Sequence, residues 1–300
     1  MSKLRNIFKN LFLSLLLVWT VSGFAQADRF NRAVRLYEGK TPDLAKLAID
    51  SVILNPETGK NFMSWSYRAF IYFELYKRAD KTKLNSPLRD TIVSSIKTSY
   101  ALKPDPEFKS NNNKLINSLS AAYYNIAKTL LQDSLNDKRS QYAYNKSKEL
   151  SLIAKPDSNF NIRDVEYYNS MGSLFADIFN KDNNNLKAQD VAKVSLLKVL
   201  EIQPDNSSAN MNLGIMYYNQ AVNLSKSLDY GADISQIDVI QESMIKLAKQ
   251  SEQLINKVFK QNNKNAKAVE ALYFIYRMLN ENTKTEQFKE KCKELKIAVD

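Results

Sequence analysis

Four times along the chain an amphipathic segment ends in an aliphatic or small residue, a polar residue, a proline and an acid. The four sites are Leu54-Asn55-Pro56-Glu57, Leu102-Lys103-Pro104-Asp105, Ala154-Lys155-Pro156-Asp157 and Ile202-Gln203-Pro204-Asp205. Proline has no amide donor and disfavours the α conformation in the residue before it, so each site reads as a helix stop followed by a turn. The prolines stand 48, 52 and 48 residues apart. Punctuation at that interval is the signature of stacked helical units, each burying its apolar face against the next.

The first residues lie outside this array. Lys3, Arg5 and Lys9 precede an apolar run from Leu11 to Val21, and Ser22-Gly23-Phe24-Ala25-Gln26-Ala27 supplies small residues for cleavage after Ala25 or Ala27. This reads as a bacterial secretory signal peptide, residues 1–25. The uncharged stretch Asn10 to Ala25 falls short of the roughly 18 to 20 residues that a spanning helix needs. A cysteine for lipid attachment is missing near the cleavage site. The expectation is a soluble exported protein, periplasmic, with the extracellular space as the alternative.

Composition then excludes several chemistries. Histidine is absent, which removes the commonest general base and the commonest zinc ligand, and the single cysteine, Cys292, cannot form an internal disulfide. Serine-histidine and cysteine-histidine mechanisms are therefore excluded. Cys292 sits in an amphipathic C-terminal stretch and reads as a small, semi-buried helix residue. The formal charge is +11, and loss of the leader removes three bases and no acid. Such a surface favours an acidic partner, but the bases are interspersed with acids rather than gathered in a stripe, so nucleic acid is not expected.

Only six glycines and seven prolines interrupt the chain, and apolar residues recur at three- and four-residue spacing. This is an all-α pattern. First helices begin at Asp28 and then after each break, and second helices are expected over 44–54, 88–102, 138–154, 187–202, 235–260 and 285–297. Short polar breaks separate them, among them Pro104 to Asn113, Lys181 to Asn185 and Tyr230 to Asp233. The asparagine triplets Asn111-Asn112-Asn113 and Asn183-Asn184-Asn185 are assigned to such loops. The approximate units are 28–56, 62–104, 115–156, 163–204, 207–260 and 264–300.

A second regularity marks the first helices. The pairs Arg68-Ala69, Ile126-Ala127, Met171-Gly172 and Leu213-Gly214 are each followed three residues later by a large side chain: Tyr72, Leu130, Phe175 and Tyr217. On a helix these positions form one stripe, and the small residue admits a close neighbour. The stripe resembles the first helix of a tetratricopeptide repeat, in which a Leu-Gly pair and an aromatic recur at these offsets and a proline closes the second helix. Near the C-terminus Leu272 and Tyr276 keep the spacing, while Tyr273 takes the small position and no proline follows. The resemblance implies a right-handed helical-repeat solenoid of about six helix pairs, with unusually long units.

It also implies a ligand-binding concave face made by the first helices. Carried over one by one, the positions pointing there are Tyr67, Phe70 and Glu74 in the first matching helix and Asn125, Lys128 and Gln132 in the next. Ser170, Ser173 and Asp177 follow, and then Asn212, Ile215 and Asn219. Amides can grip a peptide backbone and aromatics can anchor a side chain.

Other sites carry less. Val239-Ile240-Gln241-Glu242-Ser243-Met244 resembles the glutamate-serine motif of lytic transglycosylases, which would make Glu242 a general acid, yet no glycine occurs after Gly231 to supply that family's downstream motif. Neither a phosphate-binding glycine loop nor a calcium loop is present, and no cofactor or metal is expected. The leading reading is a non-enzymatic adaptor or scaffold that binds a peptide or protein in its groove. A cell-envelope assembly factor touching anionic glycan or membrane through a basic face is the alternative, and a peptidoglycan-cleaving enzyme using Glu242 stands third.

Overall fold

The computed structural model describes residues 28–134, 137–228 and 233–299. The expected signal segment and the break at Tyr230 to Ala232 lie outside the described residues. Within them the fold is all-α and contains no strand. The helices are α1 (28–38), α2 (Pro42–Ile53), α3 (Phe62–Ala79), α4 (Pro87–Ala101), α5 (Pro106–Ser134) and α6 (Asp137–Ala154). They continue with α7 (Asn161–Lys181), α8 (Leu186–Ile202), α9 (Ser207–Lys226), α10 (Ile234–Gln261), α11 (Ala266–Met278) and α12 (Asn282–Glu294). A single 3-10 turn, Thr58–Lys60, precedes α3. Two compact units divide the chain at Ser158, with three consecutive helix pairs in each.

Local chemistry sets the boundaries. Pro56, Pro104, Pro156 and Pro204 each follow the end of a second helix, as their missing amides require. Pro42 and Pro87 open α2 and α4, where a missing donor does no harm. Side chains of Asn61, Ser86, Asn185, Asn206 and Asn265 accept hydrogen bonds from amides of the first turn that follows them. Four of these five caps are asparagines.

The triplet Asn111-Asn112-Asn113 is an exception that corrects the sequence reading. It lies inside α5, which begins at Pro106 rather than near residue 115, because Asp105 accepts from the Phe108 amide and Pro106 and Glu107 suit a first turn. Asn112 is fully buried, and its amide nitrogen donates to Ser66 Oγ at 3.1 Å and Ser99 Oγ at 3.2 Å. A helical asparagine at that place ties α5 to both members of the preceding pair. Unit boundaries shift accordingly.

Four of the pairs close at a small residue. Ala69 and Ala127 are fully buried, and a Cβ added to Gly172 would stand 2.6 Å from Leu196 Cγ on α8, one added to Gly214 2.6 Å from Ile255 Cδ1 on α10. Serines that the apolar pattern did not anticipate share the seam. Ser140 donates to the Ala127 carbonyl at 2.8 Å, Ser251 to the Gly214 carbonyl at 2.7 Å, and Ser66 bonds Ser99 at 2.9 Å, all buried. Small side chains let the helix axes approach, and each of these hydroxyls has a hydrogen-bond partner, whereas Asn112 Oδ1 beside Ser66 and Ser99 is buried without one.

Arg68, which stands where a leucine is expected, explains itself through Asp50. The Asp50 carboxylate accepts from Arg68 Nε at 2.9 Å, Tyr72 Oη at 2.8 Å and Lys46 Nζ at 2.9 Å, while Arg68 also reaches Ser95 Oγ at 2.9 Å. Burial pushes the Asp50 pKa up, but the hydrogen bonds from Lys46, Arg68 and Tyr72 outweigh it and hold the group below its ordinary value. A depressed carboxyl contributes stability that is fully present above the unfolded pKa of about 3.9 and is lost as pH falls through the folded value. Acid titration of the melting temperature should therefore show a smaller loss between pH 5 and 3 for Asp50→Asn than for the parent. Parallel curves would show that the cluster does not respond to protonation.

At the C-terminal end Tyr273, buried in the small position, packs with Leu272, Tyr276 and Phe288, so a wider contact replaces the narrow one. Cys292 belongs to the same cluster. It is fully buried rather than semi-buried.

Candidate functional site

Five rings from three consecutive first helices meet on one face of the N-terminal unit: Phe30 and Tyr37 of α1, Tyr67 and Phe70 of α3, and Phe108 of α5. Tyr67 is the hub. Its ring centroid lies 5.5 Å from Phe30, 6.1 Å from Tyr37, 5.7 Å from Phe70 and 5.9 Å from Phe108, all edge-on. Phe70 stacks on Phe108 at 6.3 Å with planes 13° apart. Edge-to-face and offset pairs are the preferred aromatic geometries, so the rings hold one another in place. The rings are half-buried, which leaves a firm apolar surface partly open to a ligand.

Carboxylates surround the patch. Glu38 ends α1, Glu107 precedes Phe108, and Glu74 lies one helical turn beyond Phe70, paired with Lys77 at 2.8 Å. A cavity of about 710 Å³ opens beside Tyr37, lined by Glu38, Lys40, Pro42, Glu74, Lys77 and Arg78. Arg78 is held there by both oxygens of Asp43, at 2.7 and 2.9 Å. Burial first, then Glu74 and Tyr67, raise the Tyr37 pKa; burial first, then Glu38 and Glu107, raise that of Tyr67. Both phenols stay neutral at neutral pH and are able to donate or accept a hydrogen bond.

The structure gathers Tyr67, Phe70 and Glu74 and adds three rings to them. The remaining positions have varied surroundings. Asn125 is exposed and lines a cavity of about 310 Å³ with Lys81, Thr82, Ile126 and Thr129. Lys128 sits 5.7 Å from the Tyr124 ring centroid, and Gln132 is exposed. In the C-terminal unit Ser170 donates to the Glu166 carbonyl and Asp177 is exposed. Asn212 donates to Ser173 Oγ at 2.7 Å and Asn219 to Asn180 Oδ1 at 2.8 Å. Those two contacts, seven residues apart on each helix, join α7 to α9, so these two amides, expected to face a ligand, bond to the neighbouring helix. Ile215 packs against the C-terminal core.

No protein-family model matches the chain. A comparison with curated proteins likewise gives no match. Among solved structures, the crystal structure of PilW, a widely conserved type IV pilus biogenesis factor, aligns over 90% of this chain and 93% of its own at 14% identity and a TM-score of 0.30. So loose a superposition has no bearing on function.

Phe30, Tyr37 and Phe108 escaped the sequence reading for two reasons. The first helix lacks the Leu-Gly offsets that identify the others, and Phe108 falls within the break expected from Pro104 to Asn113. The regular spacing Phe30–Tyr37 and Tyr67–Phe70, at helical intervals, was the available signal. Elsewhere Glu242 is exposed on α10. Among the described residues no group of acids and cysteine could hold a metal ion, and no helix is long and apolar enough to cross a membrane.

Proposed function

We propose that the protein is an exported adaptor of tetratricopeptide type that binds a peptide or protein segment on the first-helix face of its N-terminal unit. The observation that supports this most is the five-ring patch, because rigid half-buried aromatics are the side chains that dominate binding energy at interfaces. Phe30, Tyr37 and Tyr67 rest on the core of Ala33, Ala45, Ile49, Val52 and Ile71, which fixes them in place, while part of each ring stays open to solvent along three successive first helices. The segment is gripped by Tyr67 and Phe70, and Asn125 extends the surface further along α5. Asn212 and Asn219, which bond across to α7 in the C-terminal unit, are not part of this site.

The test is capture from envelope extract with immobilised protein. Phe70→Ser combined with Asn125→Ala and Tyr67→Ser should reduce capture at least tenfold, with the helical spectrum retained. Lys146→Glu, Lys193→Glu and Lys246→Glu together should leave it within a factor of two, since exposed charges carry little binding energy. The opposite pattern would replace the groove reading with contact through the basic surface, which high salt would weaken steeply.

A further inference from the structure

The chain has an excess of cations, and they habitually sit over its aromatic rings. Arg68 lies 4.7 Å from the centroid of Tyr72, Arg89 4.0 Å from Tyr123, Lys198 4.4 Å from Tyr168 and Lys284 4.7 Å from Tyr276. Yet among the described residues no cation caps any of the five rings of the patch. On the same face, the carboxylates of Glu38 and Glu107 are exposed and have no ion-pair partner among the described residues. Of the cations lining the cavity beside Tyr37, Lys77 and Arg78 are engaged by Glu74 and Asp43, which leaves Lys40.

We infer that the aromatic patch takes the lysine or arginine side chain of an extended partner segment, its cationic head between Glu38 and Glu107 and its methylene stem on Tyr67 and Phe70. This rests on the groove reading above and gives the bound segment a chemistry opposite to that suggested by net charge. Three physical terms converge. A cation over a ring face is attracted by the quadrupole, two unneutralised carboxylates add Coulomb attraction, and the long aliphatic stem covers apolar surface while its head stays wet. An acidic segment lying on Tyr67 would meet the carboxylates of Glu38 and Glu107, which act on that ring.

The experiment uses the full chain and three fluorescein-labelled octapeptides of one serine and alanine frame. Each carries a guest residue between two leucines: lysine, norleucine or glutamate. Fluorescence anisotropy should give affinities in the order lysine, norleucine, glutamate, with at least tenfold between the first and last at 50 mM salt. Glu38→Gln with Glu107→Gln, two exposed isosteric changes checked by circular dichroism for an unchanged helical spectrum, should bring the lysine peptide to within threefold of the norleucine one. Equal affinities for lysine and glutamate peptides, both lost in Tyr67→Ser, would overturn the cationic specificity and leave the groove reading standing. Absence of binding by all three peptides would overturn both.

Discussion

Gly172→Leu is expected to lower the stability of the C-terminal unit by about 3 kcal/mol, at the upper end of overpacking costs. A Cβ at this position already stands 2.6 Å from Leu196 Cγ, 2.7 Å from Cδ2 and 3.2 Å from the Leu196 backbone nitrogen, so the seam between α7 and α8 must open. Rotation of Leu196 relieves the side-chain clash but not the approach to the backbone. Gly214 offers a contrast, since an added Cβ there meets the terminal Cδ1 of Ile255 at 2.6 Å and Cγ1 at 2.8 Å, with no backbone atom among its nearest contacts. Thermal melts followed by circular dichroism should rank Gly172→Ala below Gly214→Ala, and Gly172→Leu should fall by roughly 10 °C. If Gly172→Leu melts with the parent, the helix pair is misplaced.

An effect of similar or larger size is expected at Arg89, whose side chain is buried in the N-terminal unit. Its guanidinium donates to the Lys83 carbonyl at 2.6 Å and the Leu84 carbonyl at 3.1 Å, and it sits between the rings of Tyr76 and Tyr123 at 5.1 and 4.0 Å. No carboxylate pairs with it among the described residues, and its Nε has no partner. The charge is therefore sustained by carbonyl dipoles and ring faces at contact distance, with the Asp80 carboxylate acting on it from further away. Arg89→Ala removes a large core side chain and leaves two loop carbonyls without donors, which should cost about 3 to 5 kcal/mol. Arg89→Met, which restores most of the volume but no donor, should recover roughly half of that. Equal melting temperatures for the alanine and methionine variants would assign the whole effect to the polar contacts; equality of both with the parent would show that Arg89 does not hold the α3–α4 loop.

How much of this could be read in advance depends on whether a residue's role follows from its type. Pro56, Pro104, Pro156 and Pro204 act through covalent geometry alone, so they marked helix ends without knowledge of neighbours. Gly172 and Gly214 act through size, and their offsets from large residues gave away the seams. Ser140, Ser251, Asn112 and Arg89 are different, because a polar side chain in sequence reads as surface unless its partner is known. Each partner is a carbonyl, hydroxyl or ring brought close only by folding. The candidate site divides in the same way: Tyr67 and Phe70 followed from spacing, whereas Phe30, Tyr37 and Phe108 join them only through the packing of α1 and α5 against α3.

The burial of Cys292 makes the molecule its own reporter. A lone thiol sealed in the last helix pair, with its pKa raised by that burial, reacts with a soluble maleimide only when α11 and α12 part. Labelling rate thus counts openings at one end of the chain without an engineered probe. Compared with helix melting in the same sample, it tells whether the final pair frays alone or waits for its whole unit to unfold.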